Sequence, residues 1–171
     1  GEFALRTDRS PSAEVAVLLD DESFFYQTVK NDLDFSLIFK QRLTGLARMG
    51  APFDVYLLED FLAGKLRPYK LYIFLNAFRL ADSRREALKK ELRKEGRVAV
   101  WIYAPGYIMD SPGIENMADL TGFRFAKNEH PWPSYLYITK FDHPITERLN
   151  QDLIWGSDGR LGPQFYIDDP E

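Results

Sequence analysis

Four short apolar runs are spread over the first part of the chain, and each is almost continuously hydrophobic. This pattern is typical of buried strands in a parallel sheet, because helices cover both faces of such a sheet. The runs are EVAVLLD (14–20), FDVYLL (53–58), KLYIFLN (70–76) and RVAVWIY (97–103). They predict four strands, with a long connection between the second and the third.

Apolar residues between the first and second runs recur every three or four positions, which places them on one face of a helix. Asp32 or Asp34 can cap the start of this helix, and Gly50, followed by Pro52, ends it. The apolar positions are Phe35, Ile38, Phe39, Leu43, Leu46, Ala47 and Met49.

A second helix is predicted between the third and fourth runs. Ser83-Arg84-Arg85-Glu86 has the spacing of a capping box, and the helix ends at Gly96. Its inward positions are Ala87, Leu88 and Leu92. Its basic residues are Arg84, Arg85, Lys89, Lys90, Arg93 and Lys94. Three glutamates interleave with them, so we interpret this face as a solvated helix face rather than a basic patch.

Alternating strands and helices indicate an α/β fold with a mostly parallel sheet and right-handed crossovers. The last third is less regular, and we predict a short helix at 114–120, a strand at 135–139, a helical turn at 145–149 and a final strand at 164–167. We expect residues 13–171 to form a single domain. Residues 1–12 are interpreted as a disordered or vector-derived leader, and the domain as one excised from a longer protein.

Composition narrows the possible functions. A chain of 171 residues with 45% hydrophobic residues and a net charge of −4 can fill a core. The absence of cysteine excludes disulfides, cysteine-ligated metals and a thiol nucleophile. The acidic balance argues against nucleic acid, and no apolar run is long enough for a membrane span. His130 and His143 form no metal motif and no glycine-rich phosphate motif occurs, so we expect no metal and no cofactor. The sequence does not indicate a compartment.

Ligands of open parallel sheets bind beyond the carboxyl ends of the strands. The candidate ligand-binding residues there are Asp20, Asp21, Glu22, Asn76, Tyr103 and Tyr107. The acidic trio after the first strand resembles the magnesium site of a receiver domain. However, the third strand ends at Asn76, whose amide cannot become an acyl phosphate, so we favour solvated strand-end carboxylates.

The fourth run enters a turn, Tyr103-Ala104-Pro105-Gly106, that has the layout of a nucleophile elbow. None of the first three residues can serve there as a serine or cysteine nucleophile. A tyrosine phenol, with an ordinary pKa of about 10, also has no obvious base beside it. The elbow therefore lacks its nucleophile.

Three segments carry a family resemblance: RMGAPFDVYLLED (48–60), YKLYIFLNAF (69–78) and VWIYAPGY (100–107). Over about residues 14–110 the chain resembles the class I glutamine amidotransferase-like domain, in particular the middle, trimerisation-type domain of glycoside hydrolase family 42 β-galactosidases. This resemblance implies a flavodoxin-like three-layer α/β/α sandwich. Catalytic relatives have a cysteine in the elbow, where this chain has Ala104-Pro105, and a His–Glu pair that His130 and His143 do not match. Glutaminase activity is therefore not expected.

Aromatic residues are frequent late in the sequence: Tyr107, Trp132, Tyr135, Tyr137, Trp155 and Tyr166. Such residues can fill the core of the irregular last third, form a protein interface, or stack on a carbohydrate. The residue pattern leaves all three interpretations open.

The leading hypothesis is a non-catalytic amidotransferase-like domain of a larger, carbohydrate-active protein, which serves oligomerisation or domain packing. Its partners would be other domains of that protein or further copies of the chain, and we expect no enzyme activity from this chain alone. A second hypothesis is a carbohydrate or small-molecule binding module that uses the strand-end crevice. A third is a residual hydrolase with Glu22 and Glu59 as its acid–base pair.

Overall fold

The structure is a computed structural model that describes residues 12–27, 38, 40, 44–94 and 96–169. The chain divides into a first compact unit that ends at Arg124 and a second that begins at Phe125. No helix within the described ranges is long and apolar enough to cross a bilayer. That residues 13–171 form one domain stays a prediction.

The first unit is built on a four-stranded parallel sheet. Its strands are β1 (Val15–Leu19), β2 (Phe53–Leu57), β3 (Leu71–Phe74) and β4 (Val98–Trp101), in the order β2-β1-β3-β4. All four predicted strands are confirmed, as is the α/β flavodoxin-like fold class. Because the strands are parallel, their carboxyl ends lie along one edge of the sheet.

Three helices cover one face of this sheet: α1 (Leu58–Leu62), α2 (Asp82–Leu92) and α3 (Ile114–Thr121). Side chains of strands and helices form a single buried cluster there, which includes Leu18, Tyr72, Phe74, Leu58, Phe61, Leu88 and Leu120. Burying a large apolar side chain contributes about 1.5–3 kcal/mol, so this cluster is the main source of stability in the unit.

Two expectations about α2 are wrong. The residue before the helix is Ala81, no side chain caps the helix start, and Ser83 already lies within the first turn. A capping hydroxyl must come from the non-helical residue that precedes the helix, so the capping box does not form. The solvated-face interpretation also fails for two arginines, since the side chains of Arg84 and Arg85 are only 13% and 3% exposed.

The opposite face of the sheet has a smaller buried cluster of Val15, Val17 and Ile73 from the strands, Leu75 directly after β3, and Leu46 from a 3-10 helix, Leu46–Arg48. The helix predicted to end at Gly50 falls mainly outside the described residues, including its candidate caps Asp32 and Asp34 and its apolar residues Phe35, Phe39 and Leu43. Ile38 of that helix is described and is buried.

The second unit contains two antiparallel strand pairs. In one pair, β5 (Phe125–Asn128) lies beside β8 (Gln164–Ile167), and in the other β6 (Trp132–Tyr137) lies beside β7 (Ile154–Leu161). The predicted final strand is confirmed, and β6 overlaps the strand predicted at 135–139. Strands β5 and β7 were not predicted. The expected helical turn at 145–149 appears as a hydrogen-bonded turn in which Thr146 and Glu147 donate to the carbonyl of His143.

Candidate functional site

The strand-end crevice lies where β1, β3 and β4 end, and its floor is a reciprocal hydrogen-bonded pair. The Asp20 backbone N–H donates to Asn76 Oδ1 at 2.8 Å, and Asn76 Nδ2 donates to the Asp20 carbonyl at 2.7 Å. Asp20 and Asn76 are 1% and 0% exposed. The Asn76 amide therefore joins two neighbouring strand ends and is not presented to a ligand.

The carboxylate of Asp20 is bound by Ser23, a residue that sequence reasoning did not single out. Asp20 Oδ2 accepts the Ser23 backbone N–H at 3.1 Å and also the Ser23 hydroxyl. In turn, Ser23 Oγ accepts the backbone N–H groups of Phe78 at 3.0 Å and Arg79 at 2.9 Å. Ser23 is fully buried in the 3-10 helix Glu22–Tyr26. One hydroxyl thus connects the segment after β1 to the segment after β3.

Arg84 of α2 lies among three carboxylates of the crevice. Its Nη2 donates to Asp20 Oδ1 at 2.6 Å, its Nη1 donates to Glu22 Oε2, and its Nε forms an ion pair with Glu59 Oε1 at 2.7 Å. Arg79 binds the other oxygen of Glu22. Burial lowers the pKa of Arg84, but its hydrogen bond to Asp20 and the charges of Asp20, Glu59 and Glu22 outweigh burial and raise that pKa above its usual value. The three carboxylates of the crevice are therefore bound by two of this chain's own cations.

This pairing bears on two chemical possibilities for the crevice. No cluster of three or more potential metal ligands occurs within the part of the chain that the structure describes. Glu22 and Glu59, the hypothetical acid–base pair, contact the same guanidinium. The two carboxylates of a glycosidase must reach the scissile bond of the substrate, whereas these two carboxylates are both held on one internal cation. The arrangement therefore does not favour glycosidase-type catalysis.

The elbow after β4 is strained at Tyr103. Its φ is +72°, and no other non-glycine residue of the described ranges has a positive φ. The strained position thus lies one residue before Ala104-Pro105, where the resemblance placed the missing cysteine. The Tyr103 ring packs edge-on against Phe78, with ring centroids 5.5 Å apart. Burial, together with the charge of Tyr107, raises the pKa of Tyr103 to about 12, so the phenol stays protonated at neutral pH.

Arg85 holds the elbow against α3. Its Nη2 donates to the Gly106 carbonyl at 2.8 Å, and its Nη1 donates to the Asn116 carbonyl. Gly106 has a φ of +61°, and a Cβ there would lie 2.8 Å from Leu120 and 3.1 Å from the Arg85 guanidinium. Asn116 Nδ2 also donates to the Tyr107 carbonyl at 3.0 Å. Arg85 is thus a buried structural cation at the end of the elbow.

The six sequence-predicted candidates therefore lie in different environments. Asp20 and Asn76 are buried and bonded to each other, and Glu22 shares Arg84 with Asp20. Tyr103 and Tyr107 follow β4 and are half-buried, while Asp21 is exposed. Sequence reasoning missed Ser23, Arg79 and Arg84. Only the three-residue spacing of Asp20 and Ser23 could have indicated one of them, as a local side-chain bond.

No family model and no curated protein matches the chain. Among solved structures, a ThuA-like protein from Bacteroides uniformis aligns with a TM-score of 0.52 and 18% identity over 95% of this chain and 64% of that one. A β-galactosidase from Bifidobacterium adolescentis aligns with a TM-score of 0.43 and 21% identity over 57% of this chain and 43% of that one. This chain therefore spans less than two thirds of either protein.

The alignment with the ThuA-like protein supports the α/β fold of this chain. At 18% identity it supports nothing finer than the fold.

Proposed function

We propose that this chain is a non-catalytic amidotransferase-like domain that serves domain packing or oligomerisation in a larger, carbohydrate-active protein. The proposal that the domain is not catalytic rests on one observation: the strand-end carboxylates Asp20, Glu22 and Glu59 all contact Arg84. The carbohydrate link rests on the sequence resemblance to the middle domain of family 42 β-galactosidases.

The elbow supports the same proposal. Acyl-transfer enzymes of this architecture need an activated nucleophile at the strained residue after the strand. That residue is Tyr103, whose phenol has a pKa raised to about 12, and the chain contains no cysteine. The strained turn is retained here without a group that could form an acyl-enzyme at neutral pH.

The second unit offers a surface suited to packing. Leu136 and Trp155 are direct cross-strand partners and are 63% and 41% exposed, and the next pair, Tyr137 and Ile154, is 66% and 67% exposed. Neighbouring residues of a strand point to opposite faces, so both faces of the β6–β7 ribbon are apolar and accessible. Isolated two-stranded ribbons are marginally stable, and contiguous apolar patches are typical of protein contacts.

Turnover measurements test the non-catalytic part. We expect the purified chain to hydrolyse glutamine and small esters no faster than buffer does, and the Tyr103→Phe variant to behave identically. Turnover that is robust in the wild type and lost in Tyr103→Phe would overturn the proposal, provided that circular dichroism shows both proteins folded.

Sedimentation tests the assembly part. If the ribbon joins copies of the chain, Leu136→Lys should shift the chain towards monomer. Ile145→Lys, a matched change at a residue 75% exposed in the turn at 144–148, should not. A wild-type chain that is monomeric at all concentrations would contradict oligomerisation and leave packing against other domains as the role of this surface.

A sugar-binding surface at the strand ends is the second candidate function. The observation in its favour is the exposed aromatic residues of the 3-10 helix Glu22–Tyr26, in which Phe24, Phe25 and Tyr26 are 38%, 86% and 48% exposed. Aromatic faces of this kind can stack on sugar rings. Calorimetry with galactosides at millimolar concentrations should then show heat that Phe25→Ala abolishes, and no heat with the wild type would remove this candidate.

A further inference from the structure

A cavity of about 350 Å³ lies between α2, α3 and β4 and shares no residue with the strand-end crevice. Its walls combine apolar and charged side chains, chiefly Lys89, Leu92, Arg93, Trp101, Asp119 and Leu120. This volume is at the lower end of the range for small-molecule sites, which suits a ligand of the size of a monosaccharide.

Two of the charged side chains in this cavity are bonded to each other. Lys89 Nζ lies 2.7 Å from both carboxylate oxygens of Asp119 and 3.0 Å from Glu86 Oε1, so its three protons are used. The Asp119 side chain is nevertheless 54% exposed. A carboxylate has about four acceptor positions, and Lys89 and a longer contact from Arg85 use three of them. Asp119 can therefore accept a further hydrogen bond from a ligand hydroxyl.

Arg93 is the cation of the cavity for which the described residues provide no counter-charge. It follows the last residue of α2, is exposed, and forms no side-chain hydrogen bond or ion pair with any residue that the structure describes. A guanidinium binds a carboxylate through two parallel hydrogen bonds. Because Lys89 already balances Asp119, the charge of Arg93 favours an anionic ligand.

Trp101 provides the apolar surface. One face of its indole stacks on Phe74, with ring centroids 4.1 Å apart and an angle of 18° between the rings. The residue is half-buried and lines the cavity, so part of its indole surface is exposed to a ligand there. The C–H face of a pyranose ring is a suitable partner for such a surface.

We propose that this cavity binds a hexuronate, a pyranose that bears a carboxylate. The carboxylate binds Arg93, a ring hydroxyl donates to Asp119, and the ring lies on Trp101. A neutral hexose would bring no carboxylate for Arg93. A flat aromatic acid would bring no donor for Asp119.

Calorimetric titration with D-galacturonate tests this site, with D-galactose and benzoate as the neutral and the flat controls. We expect a Kd of about 1 mM for galacturonate, as is usual for a ligand of this size, and values at least about tenfold weaker for both controls. Arg93→Gln should weaken galacturonate about tenfold or more, because it removes a charge-assisted contact. Lys90→Gln removes the same charge from an exposed position of the same helix and should change nothing.

Three results would overturn the site: no heat with galacturonate at tens of millimolar, galactose or benzoate binding as tightly as galacturonate, or an unchanged Kd in Arg93→Gln. Sugar binding at the strand ends would be insensitive to Arg93, so the two sites are distinguishable. None of these outcomes depends on whether the elbow is catalytic.

Discussion

Two places in the first unit collect charged side chains, and they differ in how fully those charges are partnered. At the strand-end crevice, Asp20, Glu22 and Glu59 all contact Arg84. In the cavity beside Trp101, Lys89 and Asp119 pair, whereas Arg93 has no partner among the described residues. The polar groups at the usual ligand position of this fold are thus bonded to one another. The cavity beside Trp101 retains polar groups that can still bind a ligand.

The difference has an energetic basis. A fully buried carboxylate such as Asp20 is tolerated only with a counter-charge and hydrogen bonds, which Arg84 and Ser23 supply. Removing one of these partners leaves the buried charge uncompensated, which lowers the free energy of unfolding. An exposed cation such as Arg93 carries no comparable cost.

The largest effect is therefore expected for Arg84→Met. The change leaves Asp20 buried without its cation and should lower the free energy of unfolding by about 3 kcal/mol. Urea denaturation measures this loss, with Lys90→Met on the exposed side of the same helix as the control, expected to change stability by less than about 0.5 kcal/mol. Equal stability of the two variants would mean that Arg84 is not structural.

A smaller loss is expected for Ser23→Ala. This variant removes the acceptor of two backbone N–H groups and a donor to Asp20, which should cost about 2 kcal/mol. Ser83→Ala is the matched control, because Ser83 caps nothing and its loss should cost less than about 0.5 kcal/mol. If Ser83→Ala were less stable than Ser23→Ala, the result would support the capping box and contradict the hydrogen bonds assigned to Ser23.

The raised pKa of Tyr103 in the elbow should make the stability of the protein depend on pH. The pKa of Tyr103 is raised to about 12, above the ordinary value of 10.0 that it regains on unfolding. The contribution of Tyr103 to the free energy of unfolding is therefore complete below pH 10 and is lost as the pH rises towards 12. Tyr103→Phe should show a shallower fall in unfolding free energy over that window, measured by denaturation at several pH values. Identical pH dependence in the wild type and in Tyr103→Phe would mean that the fold does not raise the pKa of the Tyr103 phenol.

The smallest effect is expected at the cavity. Arg93→Gln should leave the free energy of unfolding unchanged within about 0.5 kcal/mol, since an exposed cation without a partner stabilises little. A loss as large as that of Ser23→Ala would show that Arg93 is structural, and the contrast between the two places would disappear.

The sheet was predictable because each strand is a local feature of the sequence. β1 and β3 are buried on both faces and appear as unbroken apolar runs. β7 contains Gly156 and Gly159, residues typical of turns, and its pairing with β6 depends on contacts that no local pattern reveals.

The crevice was less predictable because its partners are remote in the sequence. The strand-end rule correctly located Asp20 and Asn76 at one edge of the sheet. It did not show that Arg84, 64 positions after Asp20, would bind the carboxylates at that edge. The interleaved charges on α2 predicted a solvated face. That prediction failed for Arg84 and Arg85, because helical periodicity does not reveal which residues of other segments a charged side chain will contact.

A double-mutant cycle in unfolding free energy with Arg84→Met and Asp20→Asn shows whether the buried carboxylate and the arginine of the crevice stabilise each other. If the crevice charges are bound to one another, the double variant should be more stable than the sum of the single changes implies, with a coupling energy of about 2 kcal/mol. A coupling energy indistinguishable from zero would show that Asp20 and Arg84 do not stabilise each other, which would contradict an internally bonded crevice.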